Sequence, residues 1–172
     1  MNATYLELDG RPALRFERRL AHPVEDVWSA LTEPAALARW FPNEVEIELR
    51  PGGAMHFVFP GGEAPPMEGE VKQLDPPRLF EFSWGEDVLR FELSPEDDGA
   101  ACVLRFTDYL GERDKAARDA AGWQVCFERL DESLDAGDAG GPETGVTSEW
   151  REYYDGYVAE GMPSGAEIPG QA

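Results

Sequence analysis

The sequence has few of the residues on which metal sites and redox motifs depend. Its 172 residues include two cysteines, Cys102 and Cys126, and two histidines, His22 and His56. The cysteines lie far apart, with no Cys-x-x-Cys pair and no neighbouring histidine, so neither a zinc site nor a redox motif is indicated. We expect two buried, inert thiols, two surface histidines, no metal ion and no cofactor.

Basic residues are also scarce. The chain has 15 Lys and Arg against 35 Asp and Glu, a net charge of -20, and its lysines are Lys72 and Lys115. Binding to nucleic acid or to an anionic membrane relies on basic side chains, so we expect neither partner. With 42% hydrophobic residues the chain can still form one core, and its length predicts a single domain of ordinary size.

Long apolar runs are absent. Residues 1–7 lack the basic start and apolar stretch of a signal peptide, and no later segment approaches the roughly 20 apolar residues of a membrane span. We therefore expect a cytoplasmic protein. The sequence also lacks the Gly-x-Ser-x-Gly elbow of serine hydrolases and a phosphate-binding Gly-Lys-Ser/Thr motif.

Alternation of apolar and polar residues dominates residues 14–106. Leu14, Phe16 and Leu20 alternate with charged residues, and the same period of two recurs between Gly- and Pro-rich turns down to Phe106. The spacing predicts about seven antiparallel strands in a meander. Such a sheet has one apolar face, which needs a cover.

Helical spacing interrupts this pattern twice. Two short helices are predicted between the first and second strands, one after Pro23 and one over 34–40. A long amphipathic helix is predicted over 116–134, where Trp123, Phe127 and Leu130 belong to one apolar stripe. This helix is the natural cover for the sheet, so we expect an α+β fold.

The composition shifts at Gly137. We expect residues 1–136 to form the domain and residues 137–172 to form an acidic linker and tail. Within the tail, aromatic residues at helical spacing predict a short helix over 147–159. This helix either docks on the domain or binds a protein partner or a second copy of the chain.

The inward positions of the predicted sheet and helices are rich in large apolar side chains. A ligand cavity is lined by aromatic groups with a few polar ones, so this set is a candidate cavity lining as well as a candidate core. Gly69, inward on its strand, is expected to leave room for a ligand. The candidate lining residues are Trp28, Trp40, Met55, Phe57, Phe59, Met67, Phe82, Trp84, Phe91, Phe106, Trp123 and Phe127.

Two charged residues share these inward positions. Arg18 lies between Phe16 and Leu20, and Asp108 follows Phe106 by two. A buried charge must be paired or hydrogen-bonded, so each is expected to partner the other or to orient a polar ligand group, unless a bulge exposes it.

Several segments together resemble a known family. The order of strand, two short helices, six strands and long helix is that of the helix-grip fold. The sequence resembles proteins related to the activator of the heat-shock-protein ATPase, in the START-like, birch-pollen-allergen-like (SRPBCC) superfamily. The matching segments are 23–34, 37–41, 49–53, 69–71, 75–79, 82–84 and Gly122-Trp123 with Phe127 and Leu130.

The resemblance implies a curved sheet wrapped around the C-terminal helix, with a cavity that in many relatives holds a hydrophobic small molecule. Members with this helix often have a His three residues before the Gly-Trp pair, where this chain has Asp119, and Ala100 stands where a Thr is usual. Asp119 is therefore a third candidate polar contact in the cavity, and a ready acid or base is missing.

We expect a binding protein without evident catalysis, which holds a small apolar or aromatic ligand between sheet and helix. A co-chaperone-like interaction protein in stress response is the alternative. An enzyme of cyclase or hydrolase type is the third hypothesis, and it would require Arg18 and Asp108 to converge in one pocket.

Overall fold

A computed structural model describes residues 3–62, 64–137, 140–141 and 145–169. Parts of the predicted linker and the last three residues lie outside these ranges. The strands are β1 (Thr4–Leu8), β2 (Arg11–Leu20), β3 (Glu44–Ile47), β4 (Ala54–Val58), β5 (Met67–Asp75), β6 (Leu79–Trp84), β7 (Asp87–Glu96) and β8 (Ala101–Tyr109). The helices are α1 (Val24–Thr32), α2 (Pro34–Leu37), α3 (Ala116–Ala136) and α4 (Ser148–Ala159).

All strands join in one antiparallel sheet with the order β1-β2-β8-β7-β6-β5-β4-β3. Strands β3 to β8 form the predicted meander, and the amino-terminal hairpin adds β2 beside β8. The register shifts between Val71 and Gln73 of β5, a bulge of the kind that bends a strand and helps a sheet to curve.

The predicted α+β helix-grip fold is confirmed, but the strand count is eight instead of about seven. The additional strand is β1. Asp9 and Gly10, with φ of 52° and 77°, form the two-residue turn between β1 and β2. Asp-Gly is a preferred sequence for such hairpins because both turn residues need positive φ, so the signal for β1 was present in the sequence.

Helix α3 lies over the apolar face of the sheet. Its apolar stripe is buried, and Phe127 packs 5.2 Å from Phe16 of β2 and 5.0 Å from Phe106 of β8, ring centroid to ring centroid. The helix ends at Ala136, and the next residue, Gly137, has a φ of 73°, the left-handed conformation that commonly terminates helices.

The tail helix packs on α3. Thr147 caps α4 by accepting a hydrogen bond from the Trp150 backbone N–H, and Trp150 and Tyr157 are buried. The Tyr157 hydroxyl accepts from the Ala3 N–H at 2.9 Å and donates to Gln124 Oε1 of α3 at 3.0 Å. The predicted helix over 147–159 thus corresponds to α4, docked on the domain, while self-association and a protein partner stay predictions.

Among the described residues, the structure contains no helix with the length and apolar composition needed to cross a membrane.

Candidate functional site

Most of the candidate lining residues fill the space between sheet and helix. Trp40, Phe57, Phe91 and Phe106 are at most 1% exposed, and the Phe106 ring centroid lies 4.8 Å from those of Phe91 and Trp123. The same packed core holds Met55, Phe82 and Phe127. A narrow gap, too small for a water molecule, borders Phe16, Arg18, Leu104, Phe106 and Phe127. These side chains therefore form a core in the place where the sequence predicted a ligand cavity.

Gly69 does not leave room for a ligand. A Cβ atom at this position would lie 2.4 Å from the Ser83 carbonyl oxygen and 2.7 Å from Phe57 Cε2. The glycine instead allows Phe57 and strand β6 to approach the β5 backbone closely.

A pocket of about 460 Å³ opens beside α3, on its flank rather than beneath it. Of the candidate lining residues, three border it: Phe59, Trp84 and Trp123. Trp28 and Met67 are half-buried at the margin of the core and do not border it. The other residues around this helix pocket are Pro42, Ala64, Lys115, Arg118, Asp119, Gly122, Val125, Cys126, Gly145, Thr147, Trp150 and Pro169.

Trp84 and Trp123 form an aromatic wall of the helix pocket. Their ring centroids are 5.5 Å apart. Trp84 Nε1 donates to Asn43 Oδ1 and Trp123 Nε1 donates to Asp108 Oδ2, each at 2.9 Å. Since both indole N–H groups have protein partners, the wall offers mainly ring carbons to a ligand.

The tail also contributes to the pocket wall. Trp150 lies beside the pocket and stacks on Tyr154, with ring centroids 5.1 Å apart. The segment after α4 returns to α3, where the Ala117 N–H donates to the Pro163 carbonyl and Arg118 Nη1 donates to the Glu167 carbonyl, both at 2.9 Å. The helix pocket is therefore built by the domain and the tail together.

The side chains of Lys115, Arg118 and Asp119 form the polar end of the pocket. Lys115 Nζ lies 2.8 Å from both carboxylate oxygens of Asp87, which also accepts the Gly111 N–H. Arg118 Nε donates to Asp119 Oδ1 at 2.7 Å, while Asp119 Oδ2 lies 3.6 Å from Lys115 Nζ. Burial raises the pKa of Asp119, against the lowering effects of Arg118 and Lys115.

Asp108 lies behind this end of the pocket and is fully buried. Burial raises its pKa well above the ordinary value, and repulsion from Asp87 and Asp119 adds to the shift. The hydrogen bond from Trp123 and the charge of Lys115 act in the opposite direction. Folding therefore shifts Asp108 toward its neutral form relative to the unfolded chain.

The three carboxylates are close enough to suggest a cation site, since oxygen atoms of Asp87, Asp108 and Asp119 lie within 4.8 Å of one another. However, the Lys115 ammonium already binds both oxygens of Asp87. A lysine in this place supplies the positive charge that would otherwise be expected of a metal ion.

Arg18 and Asp108 take different partners. Arg18 Nη2 pairs with Asp131 Oδ2 of α3 at 3.1 Å, and its side chain is 13% exposed on the inner face of β2. The expectation that the two residues pair or converge in one pocket is therefore wrong. Of the three candidate polar contacts, Asp119 alone borders the helix pocket.

The pocket includes residues that the sequence reasoning missed. Lys115, Arg118 and Asp87 are not among the candidate site residues expected from the sequence. Lys115 is one of two lysines in an acidic chain, and this rarity was the one signal that could have singled it out.

The comparisons with known proteins agree with this architecture. The family model of the Activator of Hsp90 ATPase homolog 1-like protein matches residues 21–135. The chain belongs to this family. The match runs from the turn before α1 almost to the end of α3, and leaves β1, β2 and α4 outside. No curated protein matches the chain.

Solved structures share the fold of this family member. A conserved protein of unknown function from Enterococcus faecalis is 21% identical, with a TM-score of 0.72 over 92% of this chain and 89% of that one. The crystal structure of CalU16 from Micromonospora echinospora is 24% identical, with a TM-score of 0.69 over 91% of this chain and 94% of that one. At these identities the similarity establishes the fold alone.

Proposed function

We propose that the protein binds a small apolar or aromatic molecule in the helix pocket. The observation that carries the proposal is a pocket of about 460 Å³ that Trp84, Trp123 and Trp150 line. Ligand sites are typically concave, about 300–1,000 Å³ in volume, and mostly apolar with a few placed polar groups. Lys115, Arg118 and Asp119 supply such polar groups at one end.

The ligand class is the one expected from the sequence, but the site lies on the flank of α3 instead of between the sheet and the helix. The space between sheet and helix is packed with aromatic side chains, so a ligand there would have to displace them. The flank of α3 needs no such rearrangement. A role in binding also accords with the ligand cavity that the family resemblance implies.

The side chains around the pocket favour binding over covalent chemistry. Burial raises the pKa of the Cys126 thiol to about 12, so almost no thiolate forms at neutral pH. The Lys115 ammonium is held by Asp87, and the pKa of Lys115 is raised, chiefly by its carboxylate neighbours against the effect of burial. Neither group is prepared to act as a nucleophile.

A pocket-filling variant tests the proposal. Gly122 borders the pocket from α3, and an added Cβ would meet only Trp150 Nε1, at 3.9 Å. Gly122→Leu should fold and fill part of the pocket. Gly156→Leu is the matched control, because Gly156 is an exposed helical glycine with no atom within 4 Å of an added Cβ. Both variants gain helix propensity, about 0.5–1 kcal/mol for each glycine removed.

The measurement is a thermal-shift screen of lipids and aromatic metabolites, followed by isothermal titration calorimetry of the hits. We expect hits for the wild type and for Gly156→Leu, and loss of binding for a well-folded Gly122→Leu protein. If no compound binds the wild type, or if Gly122→Leu binds as well as the control, the pocket is not the site.

A further inference from the structure

One hydrogen-bond donor of the helix pocket has no partner in the part of the chain that the structure describes. Trp150 borders the pocket and is 8% exposed, yet its indole Nε1 makes no hydrogen bond to any described residue. Unlike the unpartnered Asp119 Oδ2, this atom is not enclosed by protein atoms. The indole N–H of a mostly buried tryptophan usually has a partner. Nε1 of Trp150 is therefore a donor left open to a ligand.

The surroundings of this N–H leave space for a ligand atom. Gly122 of α3 borders the same pocket, and a Cβ atom added there would meet only Trp150 Nε1, at 3.9 Å. The ring of Trp150 is held by stacking on Tyr154, and its helix is capped by Thr147. Because the donor is already in place, a ligand that uses it pays little for ordering the side chain.

The other polar groups around the pocket also leave donors rather than acceptors. Lys115 Nζ gives two of its three hydrogens to Asp87. Arg118 uses Nε for Asp119 Oδ1 and Nη1 for the Glu167 carbonyl, and its Nη2 has no partner among the described residues. Asp119 Oδ1 is thus occupied, and Oδ2 is enclosed. The group that complements this lining is a hydrogen-bond acceptor.

The charges around the pocket favour an acceptor without a formal charge. Lys115 Nζ lies 2.8 Å from the Asp87 carboxylate, and Arg118 Nε lies 2.7 Å from that of Asp119. Each cation therefore has its own carboxylate, and no net positive charge is left to hold an anion. Burial of a carboxylate without such a partner is costly, and the net charge of -20 on the chain adds repulsion.

We propose that the ligand of the helix pocket carries a neutral carbonyl oxygen on an aromatic body, and that this oxygen accepts a hydrogen bond from Trp150 Nε1. This inference rests on the proposed function and specifies the chemical class of the ligand. It also assigns a specificity-determining residue to the tail, outside the residues 21–135 that match the family model.

Three probes with one ring system test the inference by equilibrium dialysis: 2-acetylnaphthalene, 2-isopropenylnaphthalene and 2-naphthoate. The first has a neutral carbonyl, the second has a CH₂ group in place of the carbonyl oxygen, and the third is an anion. The two neutral probes differ in hydrophobicity, so the informative quantity is the ratio of their Kd values in the wild type and in each variant. The wild type should bind 2-naphthoate less tightly than 2-acetylnaphthalene.

Trp150→Phe is the decisive variant, because it keeps an aromatic ring and removes the N–H. The preference for 2-acetylnaphthalene over 2-isopropenylnaphthalene should fall by at least about threefold, as expected for one neutral hydrogen bond. Trp84→Phe is the matched control. Trp84 also borders the pocket, but its N–H is bonded to Asn43, so its loss should weaken both neutral probes and keep their ratio within about twofold.

A measurement on the wild type is independent of the folding of either variant. In protein labelled with ¹⁵N-tryptophan, the indole N–H signal of Trp150 should move downfield when 2-acetylnaphthalene binds and should not do so when 2-isopropenylnaphthalene binds. An unchanged signal with the ketone bound would overturn the inference.

The outcomes separate this inference from the proposed function. If Gly122→Leu abolishes binding but Trp150→Phe keeps the wild-type ratio, or Trp84→Phe changes it as much, the pocket is retained and the role of Trp150 is overturned. Tighter binding of 2-naphthoate than of the ketone overturns the neutral acceptor. If no probe binds the wild type, or if Gly122→Leu leaves binding unchanged, both the pocket and the acceptor preference are overturned for this ligand class.

Discussion

Trp123 Nε1 of α3 donates a hydrogen bond of 2.9 Å to Asp108 Oδ2 of β8. The bond fixes the indole at the aromatic wall and joins the helix to the middle of the sheet. Its acceptor is a fully buried carboxyl group whose pKa is raised well above the ordinary value by burial and by Asp87 and Asp119. The same contact therefore links the geometry of the helix pocket to the pH dependence of stability.

Asp108→Asn should become more stable relative to the wild type as the pH rises. A raised folded-state pKa means that the folded protein retains a proton that the unfolded chain loses, so the wild type loses stability from the ordinary value of 3.8 upward until the folded pKa is reached. The amide oxygen of Asn can still accept from Trp123. The difference should grow by up to about 1.4 kcal/mol per pH unit within this window.

Urea unfolding at about pH 5 and about pH 8 measures this difference. Asp155→Asn, at an exposed position on α4, controls for the general change in net charge. An Asp108→Asn difference that is the same at both pH values would contradict a raised pKa at this site.

The two hydrogen bonds of Tyr157 give a second prediction. Tyr157→Phe removes the acceptor of the Ala3 N–H and the donor to Gln124 Oε1, and leaves buried polar atoms without their partner. We expect a loss of about 1–3 kcal/mol in the free energy of unfolding. Tyr154→Phe, a half-buried residue on the same helix, should cost less than about 0.5 kcal/mol. Equal effects would mean that these bonds do not hold the tail.

The sequence was sufficient for the fold because the relevant signals are local. Alternation in β2 and helical spacing around Trp123 each determine which side chains face inward, whatever their partners are. One further local signal, the Asp9-Gly10 turn sequence, indicates the hairpin that contains β1, although the predicted strand count did not include it.

The helix pocket depends on contacts that no local pattern encodes. Lys115 meets Asp87 across 28 positions of the chain, and Trp150 and Pro169 reach the pocket only because the tail folds back on α3. Alternation could place Arg18 on the inner face but could not choose Asp131 as its partner. An inward aromatic position also does not show whether the side chain lines a cavity or fills the core. Phe91 lies in the packed core, whereas Trp84 borders the helix pocket.

Neither cysteine should react in the native protein. Cys102 is fully buried, Cys126 is 5% exposed, and burial raises the pKa of both thiols, that of Cys126 to about 12. At about pH 8 roughly one part in ten thousand of Cys126 is thiolate. Iodoacetamide followed by intact-mass measurement should find no adduct on the folded chain and two adducts in denaturant. Rapid native labelling of Cys126 would show that the pocket lowers this pKa.

Gly69→Ala should destabilise the protein although it adds only a methyl group. The new Cβ would lie 2.4 Å from the Ser83 carbonyl oxygen and 2.7 Å from Phe57 Cε2, so strand β6 or the Phe57 ring must move. Overpacking of this kind costs about 1–3 kcal/mol. Gly156→Ala makes the same chemical change in open space on α4 and should stabilise by about 0.5–1 kcal/mol. Opposite signs in urea unfolding are therefore expected, and a stabilising Gly69→Ala would mean that the sheet leaves room at this position after all.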